Sequence, residues 1–202
     1  MIYSERLRLR AIERTDLPHF VAWLNDPEVI VGLPGVFPLS QINEEAWLEA
    51  TLKLPLAQQP MMIEIGVTGV RPPGAVSYPP DVMPVSKDWL PVGDCGFHII
   101  DWRNRSAEFG IVIGEKRFWN QGYGTEAVNL LVRFGFQTLN LHRIMLRVDA
   151  NNPRAIRAYE KAGFIHEGRL RDAEFKDGKY HDLLLMSILD HERNYAPVSH
   201  TP

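Results

Sequence analysis

Residues 121–127 read Gln121-Gly122-Tyr123-Gly124-Thr125-Glu126-Ala127, and the chain on both sides is organised around them. Two glycines in a short loop admit positive φ and let the backbone approach a ligand with no side chain between. Beyond them Ala127, Val128, Leu131, Phe134, Gly135 and Leu139 recur at helical spacing, opposite a polar stripe of Glu126, Asn129, Arg133, Gln137 and Asn140. A glycine loop that opens a helix presents free N–H groups at the positive end of the helix dipole, which suits a phosphate. The same residues fit an amphipathic surface helix after a glycine turn, so the loop alone leaves both readings open.

The length, 202 residues, fits one domain with a sizeable core and no need of disulfide or metal staples. A net charge of -3 gives no electrostatic footprint for nucleic acid and is compatible with cationic substrates. The one cysteine, Cys95, reads as a small residue packed in a strand. No apolar run approaches the ~20 residues that span a bilayer, and the N-terminus opens on charged residues, so no membrane segment and a cytoplasmic location are expected. The seven histidines show no metal-ligand spacing, so no metal is expected.

Upstream of the loop, Leu7, Leu9 and Ala11 alternate with Arg6, Arg8 and Arg10 as a half-buried first strand. Thr15 or Asp16 is placed to cap a helix with Pro18 in its first turn, ended by Asn25-Asp26-Pro27. After a loop over Gly32 to Pro38, Ser40 is placed to cap a second helix, with Glu44 and Glu45 supporting its start. Met61 to Val67 and Val92 to Ile100 read as the second and third strands. Between them a proline-rich insertion, residues 66–91, reads as a lid, an arm or a loose excursion that Tyr78 and Trp89 could anchor. Ala107 to Ile113 reads as the fourth strand, carrying one acid, Glu108. Downstream, Ile144, Leu146 and Val148 mark the fifth strand, and Asn152-Pro153 opens a helix that Gly163 closes. Phe164 to Phe175 and Tyr180 to Leu189 read as two strands joined at Asp177-Gly178, and residues 191–202 as a flexible tail. The order implies one α/β domain over 1–202, a mixed sheet with flanking helices.

Gly122-x-Gly124-x-x-Ala127 also fits a permissive dinucleotide fingerprint. That fold wants its glycines directly after the first strand, whereas Glu115 to Gln121 intervene here, and Asp149 comes late for the ribose acid. A P-loop is excluded because no Gly-Lys-Ser/Thr follows.

Glu108, the loop Gln121 to Ala127, and Asn152-x-x-Ala155-Ile156-x-x-Tyr159-Glu160-Lys161-x-Gly163-Phe164 together resemble the GNAT superfamily of N-acetyltransferases. Glu5-Arg6-Leu7-x-Leu9-Arg10, Asp26-Pro27-Glu28-Val29 and Asp177-Gly178-Lys179-Tyr180-x-Asp182 look like its ribosomal-protein and polyamine branches. The resemblance covers roughly residues 4–190 without the insertion.

It implies a three-layer α/β fold whose central, mostly antiparallel sheet splays between strands 4 and 5, and acetyl-coenzyme A as co-substrate. The pyrophosphate would sit on the amides of Gln121, Gly122, Tyr123, Gly124 and Thr125. The pantetheine arm would pair with the backbone near Val112, Ile113 and Gly114, with the Val112 N–H as oxyanion donor. Tyr159 would act as general acid towards the leaving thiolate. Glu108, fourteen residues before Gly122, would be a base, or else an acid that orders the strand or binds a substrate cation. Asn152 would hold the cofactor arm, cap its helix, or both. Where the family's loop often begins with Arg or Gln, this chain has Trp119, so Asn120, Gln121 and the loop amides would supply the polar contacts. The implied reaction is acetyl transfer to a primary amine, a protein N-terminus, polyamine or other small amine, with a homodimer among the expected partners. A non-catalytic acyl-coenzyme A binding module is the rival reading, and it would keep the loop without needing the acid.

Overall fold

The computed structural model describes residues 1–34, 38–67 and 88–193. Most of the proline-rich insertion, Tyr78 with it, and the end of the expected tail lie outside them. Within them run β1 (Ile2–Tyr3), β2 (Leu7–Ala11), α1 (Leu17–Leu24), α2 (Pro27–Ile30), α3 (Gln41–Thr51), β3 (Met61–Gly66), β4 (Trp89–Asp101), β5 (Ser106–Ile113), α4 (Tyr123–Gln137), β6 (Arg143–Asp149), α5 (Pro153–Lys161), β7 (Ile165–Lys176) and β8 (Lys179–Leu189). The sheet order is β1-β2-β3-β4-β5-β6-β8-β7, and only β5 and β6 pair in parallel. The expected fourth and fifth strands are β5 and β6, since the two-residue β1 precedes them. Among the described residues no helix is long and apolar enough to cross a membrane.

Three layers result. Alternation in β2 sends Leu7 and Leu9 into the larger core, where Val128, Leu131 and Val132 of α4 and Tyr159 of α5 meet the sheet. Leu130 is buried there too, so α4 buries a wider face than its spacing implies. On the opposite face Phe20, Trp23 and Val29 of α1 and α2 pack with Met62 into a second core that Trp47 and Val112 flank. Cys95 is fully buried and burial raises its thiol pKa well above the ordinary value, as a packed strand residue requires.

Two caps differ from expectation in an informative way. Asp16 stands at the N-cap of α1, yet its carboxylate accepts from Arg10 at 2.6 and 2.8 Å and from the Glu13 amide at 2.8 Å. Burial pushes that carboxyl up, but the Arg10 and Glu13 hydrogen bonds outweigh it and hold it below the usual range. Ser40 caps α3 as expected, with Asn43 closing the capping box, while Glu44 turns inward and is 4% exposed.

The last two strands form a hairpin around Asp177 (φ 49) and Gly178 (φ 76), with Lys176 opposite Lys179. Two positive φ values in a two-residue loop match the right-handed twist of the strands. At the base of this hairpin Arg143 of β6 donates to Glu167 of β7 at 2.7 Å, and the Ser187 hydroxyl of β8 donates to the same oxygen at 2.7 Å. Arg143's hydrogen bond is the main reason the Glu167 carboxyl falls from 4.5 to about 2. A depressed carboxylate stabilises the fold above its unfolded pKa, and the contribution is lost as pH falls through the folded one. Glu167→Gln should therefore cost about 1 kcal/mol near neutrality, discounted for a pair about one-third exposed. The gap from wild type should close as denaturation is measured from about pH 5 down to pH 2; a gap constant with pH would contradict the pairing.

Candidate active site

β5 and β6 pair only at Ser106↔Arg143, Ala107↔Ile144 and Glu108↔Met145. Beyond that β5 stays with β4 to Ile113, and β6 stays with β8 to Asp149, so the two halves of the sheet diverge. A cleft of about 1000 Å³ opens between them. Phe109 to Ile113, Val148, Asp149, the Gly122 to Thr125 loop and Tyr159 line it.

Backbone alternation decides which groups the open edge of β5 offers. The Ile113 carbonyl accepts from Trp119 Nε1, a residue lining the cleft, at 2.7 Å. The Val112 carbonyl lies instead against Gly93 of β4, where a Cβ on Gly93 would come within 1.9 Å of it. In a strand the N–H and C=O of one residue point the same way and alternate from residue to residue. The amides facing the cleft are therefore those of Ile111 and Ile113. On the same alternation the Val112 N–H faces β4 and not the splay.

The loop is built as its glycines imply at one position and for a different reason at the other. Gly122 has φ 86 and is the N-cap of α4, a conformation that disfavours a side chain. Gly124 has no such φ, and a Cβ there would meet only Ile113 Cγ1 at 3.7 Å. Arg6 braces the loop from the N-terminal strand region. It donates to the Gln121 carbonyl at 3.2 Å and to Glu126 at 2.7 Å, and lies 4.5 Å from the Tyr123 ring centroid.

Trp119, at the family's usual Arg or Gln position, is locked by its bond to Ile113 and carries the Arg154 guanidinium 3.5 Å from its ring centroid. A positive charge thus returns to the loop from α5. Asn152 caps α5, its Oδ1 accepting from Ala155 N at 3.1 Å. Seven residues later Tyr159 lies edge-on to Phe109, centroids 5.9 Å apart. Tyr159 is 8% exposed, and no hydrogen-bond partner for its hydroxyl is present among the described residues. Burial pushes its pKa up to about 12.

On the other face of the sheet Glu108 accepts from Arg147 Nε at 2.8 Å. His98 is the extra residue of a bulge between Phe97 and Ile99, and its ring occupies the space a Cβ on Gly110 would need, 2.2 Å away. Bulges re-aim side chains in this way. Asp94 stands opposite Val112 and also lines the cleft. The roof is formed by Leu24, Val29, the 32–34 loop and Trp47, with Ala173 and Glu174 of the hairpin. Lys176 ties hairpin to roof, donating to the carbonyls of Ile30, of Val31 at 2.8 Å and of Leu33 at 2.7 Å.

The structure thus brings Glu108, Val112, Ile113, Asn120, Gly122, Tyr123, Gly124, Thr125, Asn152 and Tyr159 to one cleft. It does not bring Gln121 or Gly114. The Gln121 side-chain amide folds back to the Arg117 carbonyl at 2.6 Å, and a Cβ on Gly114 would meet Trp23 at 2.1 Å, so that glycine serves packing. Asp94, His98, Arg147 and Arg154 were not expected. A lone acid in the apolar run Val92 to Ile100 was a signal for Asp94; nothing in the sequence marks the bulge that aims His98.

The family model described as acetyltransferase (GNAT) domain matches residues 6–165. An uncharacterized N-acetyltransferase p20 of Bacillus licheniformis is 31% identical over 196 residues, 96% of this chain and 98% of the relative. The spermidine N(1)-acetyltransferase of Vibrio cholerae is 39% identical over 90 residues, 45% of this chain and 51% of the relative, so that match spans about half of each. The crystal structure of spermidine N-acetyltransferase from Vibrio cholerae with CoA and spermine superposes with a TM-score of 0.74 at 27% identity. It covers 92% of this chain and 96% of that one.

Proposed function

The chain belongs to the GNAT acetyltransferase family, and from that premise we propose that it holds acetyl-coenzyme A in the splay between β5 and β6 and acetylates a cationic primary amine directly. It is an N-acetyltransferase; the cofactor's placement, the residues that act and the acceptor are the proposal. The observation that carries it is the edge of β5, unpaired among the described residues, beside a protonated phenol that has no partner among them.

The amides of Ile111 and Ile113 have no strand to bond among the described residues, and a pantetheine arm supplies the matching amide groups, as a substitute strand. One of these amides can also receive the oxyanion of the tetrahedral intermediate, since its direction is fixed before reaction. The phosphates fall to the amides of Gly122 to Thr125 at the start of α4, with Arg154 as the nearby cation. Asn152 keeps its capping bond, and its amide nitrogen lies against Gly32 of the roof loop. Tyr159 donates to the departing sulfur, whose charge an apolar wall would leave unsolvated. Glu108, its carboxylate tied to Arg147, orders the cleft floor.

Acetyl-coenzyme A enters from the α4 and α5 side, where Arg154, Arg157 and Lys161 line the cleft, and the acceptor from the roof side, where Asp94, Glu108, Asp149 and Glu174 outnumber Arg147, which favours a polyamine-like cation over a neutral amine. The test is thiol release from acetyl-coenzyme A across spermine, spermidine, N-terminal peptides and aminoglycosides. The reading expects release, greatest with a polyamine. Release greatest with peptides would move the acceptor, and binding of the cofactor without release to any amine would sink the transfer reading.

A further inference from the structure

We infer that Asp94 is the proton acceptor for the incoming amine, an inference that rests on the acetyl-transfer reading above. Asp94 faces Val112 across the β4–β5 ladder and lines the cleft, on the sheet face that the acceptor would approach. Cross-strand partners share a face, so Asp94 stands beside Val112, the residue between Ile111 and Ile113, whose amides mark the stretch of β5 where the thioester carbonyl would sit. No hydrogen bond or ion pair to Asp94 is present among the described residues, so its oxygens are uncommitted. Glu108, a candidate base by the family resemblance, is by contrast already engaged by Arg147.

The surroundings suit the role. Burial is the main reason the Asp94 carboxyl is raised, to about 7, and the charge of Glu44 on α3 adds to it. Met62 of β3 and Val112 of β5 flank it in the sheet without charge. His98, Glu108 and Arg147 line the same cleft farther along β4, β5 and β6. A base poised near neutrality can both take a proton and return it.

The acceptor ammonium gives one proton to the Asp94 carboxylate, leaving a neutral amine. The nitrogen lone pair forms the C–N bond, the C–S bond breaks, and its electron pair goes to sulfur. The second N–H proton reaches sulfur with the Tyr159 hydroxyl bridging, giving the thiol and the amide. Asp94 then releases its proton to solvent.

The experiment compares wild type, Asp94→Asn, Asp94→Glu and Glu108→Gln, with acetyl-coenzyme A and spermine, from pH 6 to about pH 10. Wild-type kcat/KM should rise with pH through about 7, the value of the Asp94 carboxyl. Asp94→Asn should lose about 100-fold at pH 7 together with that limb, and recover towards pH 10 as the free acceptor becomes neutral. Its affinity for coenzyme A should stay at the wild-type value, which a collapsed site would not allow. Asp94→Glu and Glu108→Gln should both retain a limb. Should Asp94→Asn fail to fold, a displaced limb in Asp94→Glu carries the same decision. A limb that survives in Asp94→Asn, or that vanishes in Glu108→Gln, would overturn the assignment while leaving acetyl transfer standing. Absence of thiol release by the wild type with any amine would overturn both.

Discussion

Replacement of Tyr159 by phenylalanine is expected to lower kcat by about 10²–10³-fold and to leave the affinity for acetyl-coenzyme A within about threefold. The change removes one oxygen and keeps the ring that packs edge-on against Phe109. Its hydroxyl has no protein partner to lose among the described residues, so little stability goes with it. What goes is the donor to the leaving sulfur. The pH profile supplies a second check. Burial raises the phenol to about 12, so it stays protonated across the working range. No descending limb from this residue should appear below about pH 10, and the Phe variant should be slow at every pH. Single-turnover kinetics separate chemistry from release. An unchanged chemical step would remove Tyr159 as the donor and leave it a wall of the cleft.

The two loop glycines should separate binding from folding. Gly122 is held at φ 86, so Gly122→Ala should cost about 1–2 kcal/mol of stability as well as affinity. Gly124 is free of that constraint, and a Cβ there meets nothing closer than 3.7 Å. Gly124→Ala should therefore leave Tm unchanged or higher, by up to about 1 kcal/mol in stability, because alanine is the better helix residue. It should still raise KM for acetyl-coenzyme A by about tenfold or more, since the methyl enters the space between loop and β5 that the cofactor would fill. Thermal melts and steady-state kinetics on the two variants decide it. Full affinity in Gly124→Ala would place the phosphates away from this loop.

Local rules made most of the scaffold legible. Alternation of Leu7 and Leu9 with arginines, Ser40 before α3, Pro153 at the start of α5 and Asp177-Gly178 between β7 and β8 each carry their instruction within a few residues. The cofactor half of the site is legible for the same reason, as its parts are a loop, a helix start and one residue at a fixed place in α5. What stayed hidden depends on contacts between distant segments. The direction of the Val112 amide is set by which neighbour β5 keeps, and that is known only once β6 diverges after Met145. Gln121 was expected at the phosphates because of its position in the motif, but it does not line the cleft, and its side chain donates to the Arg117 carbonyl. Glu44 carries a helix-start signal and yet turns inward, where its carboxyl is raised by burial and its charge acts on Asp94. The acceptor side is assembled from α1, α2, α3, three strands and a hairpin, so no short stretch of sequence encodes it.

The claim on which the rest depends is that β5 and β6 diverge in order to receive the cofactor. A crystal structure of the chain with coenzyme A tests it directly. The pantetheine arm should lie between the two strands and bond to the backbone of Ile111 and Ile113, with the phosphates on the amides of Gly122 to Thr125 and the sulfur within reach of the Tyr159 hydroxyl. Coenzyme A bound elsewhere, for instance in the shallow depression beside Ser4, Arg6 and Lys161, with the edge of β5 left bare, would contradict it.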